Sequence, residues 1–147
     1  METIKGKQIL LTGATGGIGA QTARLLVAGG ARLFVTGRNA AKLNALAAEL
    51  HLPPTQCCCA DLSDESQVQA LHQQYFSVFE GIDILINASG VGIIRPIDQL
   101  TESDLLQSLR SNLIAPFLLI KSFLPAMKEV KKGLVINIPG VLGKVPM

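Results

Sequence analysis

The residues of this 147-residue chain whose types and spacing could do chemistry begin at Thr12-Gly13-Ala14-Thr15-Gly16-Gly17-Ile18-Gly19. The stretch follows a short apolar run, Gln8 to Thr12, and opens a helical pattern. In that context glycines at this spacing form a cradle for the pyrophosphate of a dinucleotide. Gly13 permits a tight turn. Gly17 has no Cβ, so backbone can approach phosphate. Gly19 lets the helix pack closely on the strand. Thr15, Gly16 and Ile18 complete the cradle, and the free amides of the helix start hold the phosphate.

Three further groups stand beyond later apolar runs. Arg38 follows the second run, where a dinucleotide site often places an acid for the ribose 2′-hydroxyl. This chain has Gly37-Arg38 and no acid until Glu49. An arginine there complements a 2′-phosphate, which favours NADP(H) over NAD(H); the alternative is a solvated surface charge. Asp61-Leu62 follows the third run. Asp61 could accept a hydrogen bond from the adenine amino group, or serve as a cap in its own turn. Asn87-Ala88-Ser89-Gly90 ends the fourth run, at the crevice where open parallel sheets bind ligands.

These groups need elements to hold them. Strands are expected at Gln8–Thr12, Arg32–Thr36, Thr55–Cys59, Ile82–Asn87 and Leu134–Ile138. Helices are expected at Gly17–Ala28, with Ala20, Ala23 and Val27 on one face, at Ala40–Leu50 behind an Asn39 cap, and from a Ser63 cap to about Phe79. A long helix should run from a capping box at Thr101-Glu102-Ser103-Asp104 to about Lys128, kinked at Pro116. Continuous apolar strands alternating with helices predict βαβ units. The fold class is α/β: a Rossmann-like doubly wound parallel sheet of about five strands, order 3-2-1-4-5, in a single domain over 1–147.

Together these residues resemble the short-chain dehydrogenase/reductase family. Gly13, Gly17 and Gly19 match its TGxxxGxG turn. Asp61-Leu62 matches its adenine-contacting acid and neighbour. Asp83 to Gly90 resembles its DILVNNAG segment, with NASG in place of NNAG. Asn112, in Arg110-Ser111-Asn112-Leu113, matches the asparagine of its catalytic tetrad. The resemblance implies hydride transfer between a nicotinamide and a carbonyl or alcohol carbon. It implies a tyrosine acting as acid/base, a lysine four residues later lowering its pKa, a substrate-orienting serine, and Asn112 holding a water in a proton relay.

The chain departs from that pattern after the fifth strand. Gly140 stands at the serine position, and the only tyrosine, Tyr75, is followed four residues later by Phe79. Tyr75 reads as an ordinary aromatic, and only Asn112 remains of the tetrad. The resemblance implies two further strands, a second long helix and substrate loops, so the chain is expected to represent the cofactor-binding part, inactive alone. Its fifth strand would be an edge, and self-association through that edge or the long helix is expected. A dinucleotide-binding module without catalysis, and a remnant without ligand, are the other readings.

Composition narrows the field. Hydrophobic residues make up 48% and the net charge is +2, which excludes a disordered chain. Thirteen basic residues face eleven acidic ones, with one Tyr, five Phe and no Trp, which argues against nucleic-acid binding. No apolar run approaches the roughly 20 residues of a membrane span. Cys57, Cys58 and Cys59 are consecutive, so they read as small apolar residues of a buried strand; free thiols suit a cytoplasmic location. His51 and His72 read as solvated, Arg95 as a surface charge with a lesser chance of touching ligand, and Lys128, Lys131 and Lys132 as complements of a helix dipole.

Overall fold

Strands that are apolar on both faces must be covered on both, and the computed structural model, described over residues 4–139, shows how. Five parallel strands form one sheet in the order β3-β2-β1-β4-β5. They are β1 (Gln8–Leu11), β2 (Arg32–Gly37), β3 (Cys57–Cys59), β4 (Ile84–Asn87) and β5 (Leu134–Asn137). Five α-helices join them: α1 (Gly17–Ala28), α2 (Ala40–Glu49), α3 (Glu65–Val78), α4 (Glu102–Leu109) and α5 (Ala115–Glu129).

Alternation along the strands divides the core in two. Ile9 and Leu11 of β1 pack with Leu33, Val35 and Ile86 beneath α1 and α2, where Ala23, Leu26, Leu43 and Leu46 are buried. Leu10 faces the other way, with Phe34 and Leu85, into a layer built by α3 and α5. Tyr75 sits there fully buried, ringed by Phe34, Phe79 and Phe123 at 5.1–5.4 Å between centroids. Its hydroxyl donates to the Gly81 carbonyl at 3.1 Å, which satisfies the one polar atom of the ring. Each such side chain withdrawn from water contributes roughly 1.5–3 kcal/mol.

Several elements differ from the expectation. The strand expected over 55–59 is only Cys57–Cys59, because Pro54–Gln56 forms a 3-10 turn. As an edge strand it buries its cysteines incompletely: Cys57 and Cys58 are half-buried and Cys59 is exposed. α3 is capped by Asp64, not Ser63, because the Asp64 carboxylate accepts from the Ser66 amide at 2.9 Å. On α1 the face centres on Gly19, Ala23 and Leu26, with Ala20 and Val27 at its margins. His72 is not solvated; it is half-buried against Phe76 and Phe123, and burial lowers its pKa.

The long helix is interrupted. Between α4 and α5 lies a π-helical segment, Arg110–Ile114, closed by a bond from the Ala115 amide to the Arg110 carbonyl five residues back. Pro116 follows at the start of α5. It has no N–H to give the carbonyl four residues earlier, and a wider turn just before it absorbs the break. The capping box at the other end forms as expected, Thr101 and Asp104 each accepting from the other's amide.

Candidate functional site

Three helix starts are closed by a side chain: Asn39 on α2, Asp64 on α3 and Thr101 on α4. α1 is different. Its N-cap is Gly16, with no side-chain hydrogen bond. The orphan amides of its first turn are left for an outside acceptor.

The glycines show why the turn takes this shape. Gly13 has φ +64°, and a Cβ there would meet the Ala88 carbonyl and Ser89 amide at 2.6 Å. A Cβ on Gly19 would land on the Gly13 carbonyl. Gly17 has open space where its Cβ would point, so approach to its backbone is unobstructed. The β1 end is tied to the β4 end by Thr12, which is fully buried. Its hydroxyl accepts from the Ala88 amide at 3.1 Å and the Ser89 amide at 3.3 Å, and donates to the Ser89 hydroxyl. The glycine turn and the NASG turn are thereby held side by side at the point where the strand order reverses.

A cleft of about 270 Å³ opens there. Of the residues singled out in the sequence, Gly13, Thr15, Gly16, Arg38, Asp61, Leu62, Ala88, Ser89 and Gly90 line it. Gly17 and Ile18 are exposed on the first turn of α1 outside the lining, and Gly19 is buried beneath it. Gly37, Asn39, Lys42, Ala60, Ser63, Ser111 and Ala115 complete the wall. Sequence reasoning did not select these. Only Lys42 carried a signal, being the next cation after Arg38. A second hollow of about 380 Å³ shares Arg38, Asp61, Ser63 and Ser111 with the cleft and is closed by α4 and Arg110.

The charges in the cleft are set by short-range bonds. Asp61 Oδ1 accepts from both the amide and the hydroxyl of Ser63, at 3.0 and 2.8 Å. Those bonds, with the nearby Arg38 charge, hold its carboxyl below the usual range. The turn role and an open second oxygen therefore coexist in one residue. A Cβ on Gly37 would meet the Thr15 side chain at 3.0 Å, so the glycine makes room for Thr15 at the cleft wall.

Asn87 and Asn112 do not line the cleft. Asn87 is buried, and its Nδ2 donates to Asn137 Oδ1 at 2.8 Å, tying β4 to β5. Its own Oδ1 is buried without a partner among the described residues. Asn112 lies in the π-helical segment and spends its amide on the neighbouring loop: Oδ1 accepts from the Val91 amide and Nδ2 donates to the Val91 carbonyl, both at 2.9 Å. A Cβ on Gly90 would come within 2.9 Å of that Oδ1. Arg95 pairs with Asp104 at 3.0 Å, away from the cleft lining. Gly140 lies outside the described residues. Tyr75 is sealed in the core, where burial drives its phenol well above the ordinary tyrosine range.

Known proteins share this arrangement. The family model for short chain dehydrogenase matches residues 7–147. The chain is 36% identical over 143 residues to nodulation protein G from Rhizobium sp. (strain N33), covering 97% of this chain and 58% of that protein. It is 34% identical over 136 residues to D-threitol dehydrogenase from Mycolicibacterium smegmatis, covering 91% and 52%. Among solved structures, a metagenomic short-chain oxidoreductase in complex with NADP superposes with a TM-score of 0.86 at 33% identity, covering 99% of this chain and 67% of that one. A short-chain dehydrogenase from Streptomyces avermitilis gives 0.86 at 26%, covering 96% and 52%. The chain spans about half the length of the curated relatives it matches. Sheet order, glycine turn and family match agree, and the chain belongs to the short-chain dehydrogenase family.

Proposed function

We propose that this chain forms the cofactor-binding part of an oxidoreductase that prefers NADP(H) over NAD(H) and moves hydride between the nicotinamide and a carbonyl or alcohol carbon. One observation carries the reading: the uncapped start of α1 opens on a cleft at the strand ends, with Arg38 on its wall. The cradle at Gly13, Thr15, Gly16, Gly17, Ile18 and Gly19 fits a pyrophosphate. Asp61 and Leu62 flank an adenine, Arg38 answers a 2′-phosphate, and Asn87-Ala88-Ser89-Gly90 borders the route toward the nicotinamide. Asn112 holds that border through Val91.

A nicotinamide, when bound, supplies the hydride. This chain's residues bind it and orient it, and they do not supply the proton. Tyr75 has no access to solvent and its hydroxyl is committed to Gly81, so it cannot serve as acid/base. That observation favours, for the 147 residues alone, a dinucleotide-binding module without turnover. Its carbonyl or alcohol substrate belongs to the completed enzyme. Among the described residues no helix is long and apolar enough to cross a membrane. Three free thiols suit the reducing cytoplasm. The apolar outer face of α4, α5 and β5 supports assembly with further copies.

Titration with NADPH and NADH tests this. Saturable binding with NADPH tighter by about tenfold or more is expected, since a charge-assisted arginine–phosphate contact is worth roughly 1.5–3 kcal/mol. Arg38→Asp should reverse the order. Failure of both nucleotides to bind folded protein would refute the reading, and NADPH oxidation by this chain with a carbonyl compound would refute its inactivity.

A further inference from the structure

Four of the five α-helices bury a stripe of side chains against the sheet, as α3 does with Val68, Leu71 and Tyr75. α4 buries none. Its stripe at the same helical spacing is Ser103, Leu106, Gln107 and Arg110, and all four line the outer hollow of about 380 Å³. Leu105 and Leu109 lie on another side of the helix and take no part in that wall. α4 therefore spans a hollow at the place where the other helices meet a core.

The walls of the hollow select its occupant. Arg38, Asp61 and Ser63 face α4 across it, so an apolar stretch of polypeptide would strand charges and hydroxyls there. The side chains of Gln107 and Arg110 have no hydrogen-bond or ion-pair partner among the described residues. Asp61 spends one oxygen on Ser63 and keeps the other open. A guanidinium packs on an aromatic face, a carboxamide both donates and accepts, and a carboxylate accepts from an amino group. Together these groups suit a flat heterocycle with polar edges. The hollow is continuous with the cleft, since Arg38, Asp61, Ser63 and Ser111 line both.

We infer that α4 is a base-binding helix that is ordered by its ligand: Gln107 and Arg110 contact the purine of the bound dinucleotide across from Asp61, and the base supplies the packing that α4 lacks. The inference rests on the dinucleotide reading above, whichever of the two cofactors is preferred, and adds α4 to the site.

The test measures amide exchange and nucleotide affinity in the 147-residue chain, with NADPH and NADH as ligands, in wild type, Gln107→Ala, Arg110→Ala and Arg110→Lys. Saturating NADPH should slow exchange in α4 about tenfold or more, and by a larger factor than in α3, whose stripe is already buried. Gln107→Ala and Arg110→Ala should each weaken NADPH and NADH by the same factor, about three- to tenfold, because both ligands carry adenine. Each should also reduce the slowing in α4 at saturating NADPH. Arg110→Lys should restore less than half of the loss, since an ammonium has no planar face to lay on the base. Without ligand all three variants should keep the wild-type Tm, because these side chains have no partner to lose among the described residues. Equal slowing in α3 and α4, unchanged affinity in both alanine variants, full recovery in Arg110→Lys, or a lower Tm without ligand overturns the inference. So does unequal weakening of NADPH and NADH, which would put these residues on the 2′-phosphate instead of the base. If neither nucleotide binds the wild-type chain, the dinucleotide reading fails and takes this one with it. If both bind and α4 exchanges as before, only the role of α4 fails.

Discussion

The two ends of the sheet are built to different degrees of completion. On the β1–β2 side, β1 hides Ile9, Leu10 and Leu11 completely, and α1 and α2 cover the strands with buried alanines and leucines. On the β5 side the same chemistry lies open. Leu134 and Ile136 of β5 are 51% and 37% exposed, and α4 buries no residue at all. Leu105, Leu106, Leu109, Leu113, Ile114 and Phe117 form a continuous exposed apolar row along α4, the π-helical segment and the start of α5. The difference is whether a covering layer exists within the described residues. The cleft sits at the boundary, with the glycine turn on the finished side and Ser111 and Ala115 on the other.

The sharpest way to break that contrast is at glycines. Gly13→Ala combines φ +64° with a 2.6 Å approach to the Ala88 carbonyl, and Gly19→Ala puts a Cβ on the Gly13 carbonyl. Backbone cannot yield there without parting β1 from β4, so each should cost about 3 kcal/mol or more and abolish nucleotide binding. Gly92→Ala, in the loop after NASG, meets nothing within 4 Å and lacks the left-handed conformation. It should stay within about 0.5 kcal/mol. Chemical denaturation of the three variants decides it, and equal losses would mean that the cleft boundary does not separate two regimes.

The finished side was also the legible side. Gly13 and Gly19 are readable because each answers a separate steric demand of the turn, and the strands are readable because burial on both faces leaves an unbroken apolar run. What escaped the sequence depends on partners far along the chain. Thr12 looks like the last residue of a strand until its hydroxyl is seen serving Ala88 and Ser89, 76 and 77 positions away. Nothing near Asn87 in the sequence announces that its Nδ2 donates to Asn137, 50 positions away. The π-helical turn has no residue pattern of its own; Pro116 advertises an irregularity without saying that it takes the form of a wider turn before it. Ser63 and Asp64 are both good caps, and only the backbone path to Ser66 selects the second.

A smaller perturbation uses the two faces of a single helix. Leu119 and Phe117 both lie on α5, but Leu119 is fully buried against the sheet and Phe117 is 60% exposed. Leu119→Ala should cost about 2–5 kcal/mol, as buried leucine truncations do. Phe117→Ser should leave stability within about 0.5 kcal/mol and instead reduce self-association and the binding of apolar dyes. Size-exclusion chromatography at several concentrations, read beside unfolding curves, separates the two. A wild-type chain that elutes as a monomer with no dye-accessible apolar surface would remove the association surface.

The smallest effect expected is electrostatic and compares the same device on both sides. Asp64 caps α3 and Asp104 closes the capping box of α4, and their hydrogen bonds hold both carboxyls below the ordinary aspartate range. The bonds responsible come from Ser66 and Gln67 in the first case and from Thr101 in the second. A group whose folded pKa is depressed contributes stability above its unfolded value, near pH 4, and that contribution fades as pH falls through the folded value. Stability should therefore be level in this respect at neutral pH and decline on acidification below about pH 4. The two helices should not respond alike. α3 is anchored by the buried Val68, Leu71 and Tyr75, whereas α4 has no buried residue to hold it once its box opens. Amide exchange at matched intrinsic rates should show α4 losing protection first on acidification, and Asp104→Asn should reproduce that loss at neutral pH while α3 stays protected. Simultaneous loss in both helices would show that α4 is held by something other than its capping box.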